Sequence, residues 1–305
     1  MTTLQLAMAR GPVVLDGGLA TLLEARGHDL GSAIWSARLL IDDPVEIVAA
    51  HREYYAAGAR VAITASYQAS FEGFAALGLD RAESERVLRT AVRCALTARD
   101  SFDDGVPRFV AASVGPYGAM LADGSEYRGD YGLTVAQLRD WHRPRLDILM
   151  DSGADVLAIE TIPCLAEIEA LVELLDGSGV TAWLSLTALD GRTRAGESLG
   201  AAFELAGSIP EIIAVGVNCS PAPQVVELTA IASAASGKPV VVYPNSGEIW
   251  DGAARGWTGS PSFRPEDVKS WQAAGAALIG GCCRVGPREI QEIAEVLARG
   301  GAVPD

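Results

Sequence analysis

Short apolar runs bounded by glycine and polar positions alternate along the chain with longer stretches in which apolar residues recur every three or four positions. The short runs predict strands over Val13–Asp16, Val61–Ala65, Phe109–Val114, Asp155–Glu160, Ala182–Thr187, Ile212–Asn218, Val240–Tyr243 and Ala277–Gly281. They are continuous rather than alternating, the pattern of parallel strands buried on both faces. The longer stretches predict helices over Pro44–Ala57, Ala82–Asp100, Thr134–Ser152, Leu165–Leu175, Pro223–Ala235, Pro265–Ala274 and Pro287–Arg299. Pro44 reads as a first helical residue behind an Asp43 cap, and Gly58, Gly153 and Gly275 stand where helices end. Strands alternating with helices in this way predict a (β/α)8 barrel of the TIM type, one domain over residues 1–305. Residues 116–133 and 244–263 are long, polar and glycine-rich, and loops of that length inside a compact domain are usually functional.

Composition narrows the function classes. The chain has 305 residues, 49% of them hydrophobic, and a formal net charge of −15. It carries no basic stripe, so neither nucleic acid nor an anionic membrane is an expected partner. No signal peptide is visible, and no apolar run approaches the roughly 20 residues that span a bilayer. Five irregularly spaced cysteines point to a reducing cytoplasm and to thiol or metal chemistry rather than a disulfide framework.

The polar residues fall where a barrel keeps its chemistry, at the C-terminal ends of strands. Asp16 closes the first run, Ser113 the third and Glu160 the fourth. Asn218 and Cys219 end the sixth, and Cys282 and Cys283 follow the eighth behind Gly280 and Gly281. Three thiols at strand ends can make a zinc site that leaves the fourth position open, as a catalytic site requires. A cysteine in an apolar run is more often a small buried hydrophobe. That is the reading for Cys94 and Cys164, and for Cys219 alone the two readings are even. Asp16 before two glycines also fits a turn and Glu160 a helix cap, but two carboxylates at facing strand ends better suit a cationic group such as an ammonium. His28, His51 and His142 lie away from the strand ends and read as surface or core residues. No lysine stands beside Gly280 and Gly281, which disfavours a phosphate site there.

These residues carry a family resemblance. The segments LDGGLAT (15–21), ITASYQAS (63–70), SVGPYGAMLADGSEYRGDY (113–131), HRPR (142–145), ETIP (160–163), GVNCS (216–220), VVYPNSGEIWD (241–251) and WQAAGAALIGGCCR (271–284) run from the first strand to the last. Together they resemble the zinc-dependent homocysteine S-methyltransferases. The YRGDY and YPNSGE stretches are similar to the stand-alone branch that uses S-methylmethionine or S-adenosylmethionine, rather than the betaine-dependent branch. The resemblance implies that Cys219, Cys282 and Cys283 are the zinc ligands and that Asp16 and Glu160 bind the homocysteine ammonium. It further implies that Asn218 lies beside the metal and that Trp35, Tyr67, Tyr117 and Tyr127 shape the methyl-donor pocket. Gly18 stands where related enzymes often carry alanine.

The implied chemistry is self-consistent. A free thiol, with a pKa of about 8.5, is mostly protonated at neutral pH, and a zinc ion deprotonates a coordinating thiol outright. The thiolate then attacks a sulfonium methyl group in line, with aromatic faces holding the cation. No general base is required, in keeping with the absence of histidine from the strand ends. A related thiol or selenol acceptor, such as selenocysteine or selenohomocysteine, fits the same residues. A non-enzymatic zinc- or sulfonium-binding barrel is disfavoured by the open metal position and the converging polar strand ends. A barrel lyase using a Schiff base is also disfavoured, because Lys238 and Lys269 are the only lysines and neither ends a strand.

Overall fold

The computed structural model of the protein describes residues 2–28, 36–251 and 256–300. Eight parallel strands form its centre: β1 (Val13–Val14), β2 (Val61–Ile63), β3 (Phe109–Val114), β4 (Val156–Ile162), β5 (Ala182–Leu186), β6 (Ile212–Pro221), β7 (Val240–Asn245) and β8 (Ala276–Ile279). Each pairs with its sequence neighbours, and β8 pairs with β1 through Val13 opposite Leu278. The ring closes between β1 and β2 through a parallel bridge at Leu15 and Val61. There the Asp16 N–H donates to Val61 O at 3.0 Å and the Arg60 N–H to Val14 O at 2.8 Å.

The alternation of side chains along each strand divides the apolar residues into two cores. Val13, Leu15, Val61, Phe109, Ala111, Val156, Ala158, Trp183, Val241 and Leu278 point inward and fill the lumen. Val14, Val110, Ala112, Leu157, Leu184, Val215 and Val242 point outward, against the helices. Leu4 and Ala7 of a short helix (Leu4–Met8) join the inner cluster. Trp183 and Tyr243 meet edge to face inside the lumen, ring centres 6.4 Å apart, and the Trp183 Nε1–H donates to Tyr243 Oη at 3.0 Å.

Eight helices follow the strands in turn: α1 (Pro44–Ala56), α2 (Arg81–Asp100), α3 (Val135–Met150), α4 (Leu165–Leu175), α5 (Leu199–Gly207), α6 (Val225–Ser236), α7 (Val268–Ala273) and α8 (Pro287–Gly300). Two begin with reciprocal capping boxes, Asp80 with Glu83 on α2 and Thr134 with Gln137 on α3. Asp43 occupies the cap position of α1 as expected, but its side chain makes no cap bond. The helix α5 is missing from the sequence-based assignment. Its segment LGAAFELAG holds two glycines and one charged residue, so no polar face marks a helical period. Among the described residues no helix is long and apolar enough to cross a membrane.

One glycine is fixed by the closeness of the strands. Gly216 of β6 lies opposite Ser185 and Val241, and a Cβ there would stand 1.8 Å from Val241 O. Gly216→Ala must push β6 and β7 apart, and is expected to lower unfolding free energy by roughly 3 kcal/mol or more. Urea unfolding checks this; a variant as stable as the parent would mean that the two strands part freely.

Candidate active site

The C-terminal mouth of the barrel is polar because the strands change character there. Strands β4 and β6 each carry a register shift near this end. Thr161 and Cys219 adopt left-handed backbone at these irregularities, with φ of 63° and 46°. Non-glycine residues held in this region mark strained positions that the surroundings must maintain. Asn218 supplies the restraint. Its Oδ1 accepts from the Thr161 N–H at 2.7 Å and from Ser185 Oγ at 2.8 Å, and its Nδ2 donates to Thr161 Oγ1 at 2.6 Å.

Cys219 is thereby set at the end of β6. Cys282 and Cys283 reach it from a tight turn after β8. That turn is pinned to β7: the Cys282 N–H donates to Pro244 O at 2.8 Å and the Cys283 N–H to Asn245 Oδ1 at 3.2 Å, while Cys283 O accepts from the Ser246 N–H at 3.0 Å. Gly280 lets the turn pass close to β1, since a Cβ there would stand 2.6 Å from Asp16 O. Arg284 grips Glu248 through two bonds of 3.0 and 2.9 Å, tying the turn to the loop after β7. The sulfur atoms of Cys219, Cys282 and Cys283 lie within 4.8 Å of one another and could together hold a metal ion. They share their protons unevenly: hydrogen bonds from Cys219 and Cys282 hold Cys283 well below the ordinary thiol value. Its hydrogen bonds with Cys219 and Cys283, with burial added, push Cys282 up.

A cavity of about 130 Å³ adjoins the thiols. That volume suits a small organic molecule rather than one water. Its walls include Tyr67, Glu126, Tyr127, Glu160 and Asn218 together with the three cysteines. Asp16 precedes the wall residues Gly17 and Gly18 in the chain, does not itself line the cavity, and is 1% exposed. Its Oδ2 accepts from the Ile63 N–H at 2.8 Å, whereas Oδ1 is buried without a partner. Burial pushes the Asp16 carboxyl well above its ordinary value, and the nearby charge of Glu160 adds to this. Glu160 accepts a short hydrogen bond from Ser113, and burial raises it to about 7. Two neighbouring desolvated carboxylates, one with an unpaired oxygen, are chemically suited to a cation.

The structure distributes the other expected site residues unevenly. Tyr67 and Tyr127 face the cavity. The charge of Cys219, followed by burial, holds the Tyr127 hydroxyl well above its ordinary value, and the Arg194 guanidinium sits 5.4 Å from the centre of its ring. Tyr117 is not part of the cavity wall. Its ring packs on Tyr131 and Trp141, 5.3 and 5.1 Å away, and its N–H donates to Glu167 Oε1 at 2.6 Å. Trp35 lies outside the described residues. Cys94 and Cys164 are buried apart from the thiol cluster.

His28 stands at the surface, 3.6 Å from Glu46, and His51 is fully buried. His142 is also in the interior, 2.8 Å from Glu167. It belongs to a network in which the buried Arg145 donates to Gly115 O at 2.5 Å and to Ala69 O at 3.3 Å. This network anchors the loops after β2 and β3, which carry Tyr67 and Tyr127.

Two wall residues escaped sequence reasoning. Gln68 donates to Ala119 O at 2.9 Å and leaves its Oε1 buried and unpartnered. Glu126 is 9% exposed, its Oε2 is buried without a partner, and burial raises its carboxyl to about 7. The signal for Glu126 was an acid beside Tyr127 in a loop already marked as functional.

Comparison with known proteins shows the family of the chain. A sequence profile of the family described as homocysteine S-methyltransferase matches residues 13–297. The chain is 45% identical to homocysteine S-methyltransferase YbgG of Bacillus subtilis, with 92% of this chain and 93% of the relative covered. It is 45% identical to the homocysteine S-methyltransferase of Escherichia coli, covering 91% and 93%. Homocysteine S-methyltransferase 1 of Zea mays is 43% identical, covering 95% and 96%. The crystal structure of the E. coli homocysteine methyltransferase MmuM in its metallated form superposes with a TM-score of 0.84 at 42% identity, covering 93% of this chain and 96% of that one.

Proposed function

This chain belongs to the homocysteine S-methyltransferase family and is a homocysteine S-methyltransferase; from that premise we propose that it transfers a methyl group from a sulfonium, S-methylmethionine or S-adenosylmethionine, to homocysteine held on zinc. The observation that carries this reading is the meeting, at one cavity, of three thiols and the buried Glu160 carboxylate, with the buried Asp16 close enough for the two carboxylate charges to act on each other. The thiols fit zinc: they are soft donors from two strand ends, and among the described residues no fourth side chain joins the group. Zinc held by Cys219, Cys282 and Cys283 supplies a Lewis acid that keeps an added thiol deprotonated near neutral pH. The five free cysteines support a reducing, cytoplasmic setting.

The residues of the chain do the rest. Asp16 and Glu160 take the homocysteine ammonium, which offers hydrogen bonds to the orphaned Asp16 Oδ1 and offsets one of the two carboxylate charges. Ser113 fixes Glu160, and the Asn218 clamp holds the bulges that carry Glu160 and Cys219. Tyr67 and Tyr127 offer aromatic faces to the donor cation. The homocysteine sulfur forms its bond to the donor methyl carbon as the donor carbon–sulfur bond breaks, and a neutral thioether leaves. No proton moves in this step, so the cavity needs no histidine, and none of its described wall residues is one. Alignment of the two sulfurs and the methyl carbon is the contribution of the walls.

The test is methionine formation from homocysteine by reduced, zinc-loaded protein, with S-methylmethionine, S-adenosylmethionine and betaine compared in parallel. Turnover with a sulfonium and none with betaine is expected. A betaine rate matching the sulfonium rate would overturn the donor assignment.

A further inference from the structure

We propose that Glu126 is the counter-ion of the donor's sulfonium, and so selects cationic methyl donors over neutral ones. The inference rests on the sulfonium reading given above. Glu126 sits in a short turn, Ser125–Tyr127, on the loop after β3. The turn is rigid: Asp123 Oδ1 accepts from the Ser125 N–H at 2.9 Å, and Gly118 is packed so closely that a Cβ there would stand 2.5 Å from the Glu126 nitrogen. The Glu126 side chain is 9% exposed and forms part of the cavity wall, and its Oε2 has no hydrogen-bond partner. Arg128 makes no ion pair with it: that guanidinium bonds Ser125 Oγ at 2.7 Å and Asp123 Oδ2 at 3.5 Å, and its charge offsets only part of the effect of burial. Among the described residues no cation pairs with Glu126. A buried carboxylate so placed calls for a positive charge from a ligand.

Position decides which charge. On that reading the homocysteine ammonium already has Asp16, just after β1, and Glu160 of β4. Glu126 comes from the β3 loop beside Tyr127, and its charge acts on Cys219, Cys283 and Tyr67. It therefore shares one cavity with the three thiols and with Tyr67 and Tyr127. Of the charges on a donor, the sulfonium must come nearest to the thiols, because its methyl group passes to a sulfur held there. The attraction is greatest in the bound donor and fades as the sulfonium becomes a thioether. Glu126 thus favours donor binding more than the transition state, and the neutral product leaves a carboxylate with nothing to hold it.

The experiment measures donor and homocysteine kinetics on zinc-loaded wild type, Glu126→Gln and Glu126→Asp. It includes competitive inhibition by a neutral donor isostere in which a CH group replaces the sulfonium sulfur. Glu126→Gln is expected to raise the donor KM by roughly 10- to 100-fold, with the loss falling on donor KM rather than kcat. Homocysteine KM, zinc content and isostere inhibition should stay within about twofold. Glu126→Asp keeps the charge and should recover most of the donor affinity. An unchanged donor KM in Glu126→Gln, with wild type turning over sulfonium donors, overturns this inference and leaves the sulfonium reading intact. Equal loss of isostere and donor binding would also overturn it, since shape rather than charge would then be at work. Failure of wild type to use any sulfonium would instead strike the reading on which it rests.

Discussion

Cys283→Ser is expected to lose bound metal and methyl transfer together, with kcat/KM falling by roughly 1,000-fold or more. A serine hydroxyl is a harder and far weaker acid than a thiol, so two thiolates would be left to hold the ion. Cys283 is also the thiol that hydrogen bonds from Cys219 and Cys282 hold well below its ordinary value. The fold should survive, because the turn is fixed by main-chain bonds to Pro244, Asn245 and Ser246 rather than by the Cys283 sulfur. Cys94→Ser is the matched control: that thiol is buried on α2, apart from the cluster, with its pKa raised by burial to about 11. Metal analysis per chain, alongside circular dichroism, checks both variants. Full metal in Cys283→Ser would remove Cys283 from the ligand set.

Asp16→Asn is expected to weaken homocysteine binding by roughly 10- to 100-fold while leaving the metal in place. The buried Asp16 Oδ1 has no partner in the protein, so its charge is useful only when a cation arrives. The same burial gives stability the opposite sign. The folded-state carboxyl lies well above the ordinary value of 3.8, so the folded protein binds this proton more tightly than the unfolded chain. That contribution is full below about pH 4 and is lost as pH rises from there through the raised folded value. At neutral pH the ligand-free wild type therefore carries a cost that Asp16→Asn avoids. The variant should melt at a higher temperature than wild type at pH 7.5, with the gap shrinking toward pH 4. Added homocysteine should raise the melting temperature of wild type more than that of the variant. Isothermal titration and thermal melts check this; equal homocysteine affinity in the two proteins would take Asp16 out of the substrate site.

Much of this arrangement was legible because parallel strands buried on both faces leave an unmistakable mark. Ile212–Asn218 and Phe109–Val114 are continuous apolar runs ending in polar residues, and a closed barrel brings such ends together whatever the details of packing. That was enough to bring Cys219, Cys282 and Cys283 to one place. The finer geometry depends on features with no local signature. Asn218 was expected beside the metal; its side chain clamps Thr161 and Ser185, and that depends on register shifts in β4 and β6 that periodicity does not reveal. Tyr117 and Tyr127 read alike in one loop, yet one turns toward Tyr131 and Trp141 and the other lines the cavity. Glu126 passed unnoticed because a single acid in an irregular loop looks like a solvated surface residue until its burial is known.

The central claim is that the three thiolates leave room on zinc for the thiol of homocysteine. X-ray absorption at the zinc edge, on reduced zinc-loaded protein with and without saturating homocysteine, tests it most directly. Three sulfur neighbours without homocysteine and four with it is the predicted result. A sulfur count that homocysteine does not change, in protein shown by titration to bind it, would contradict the account.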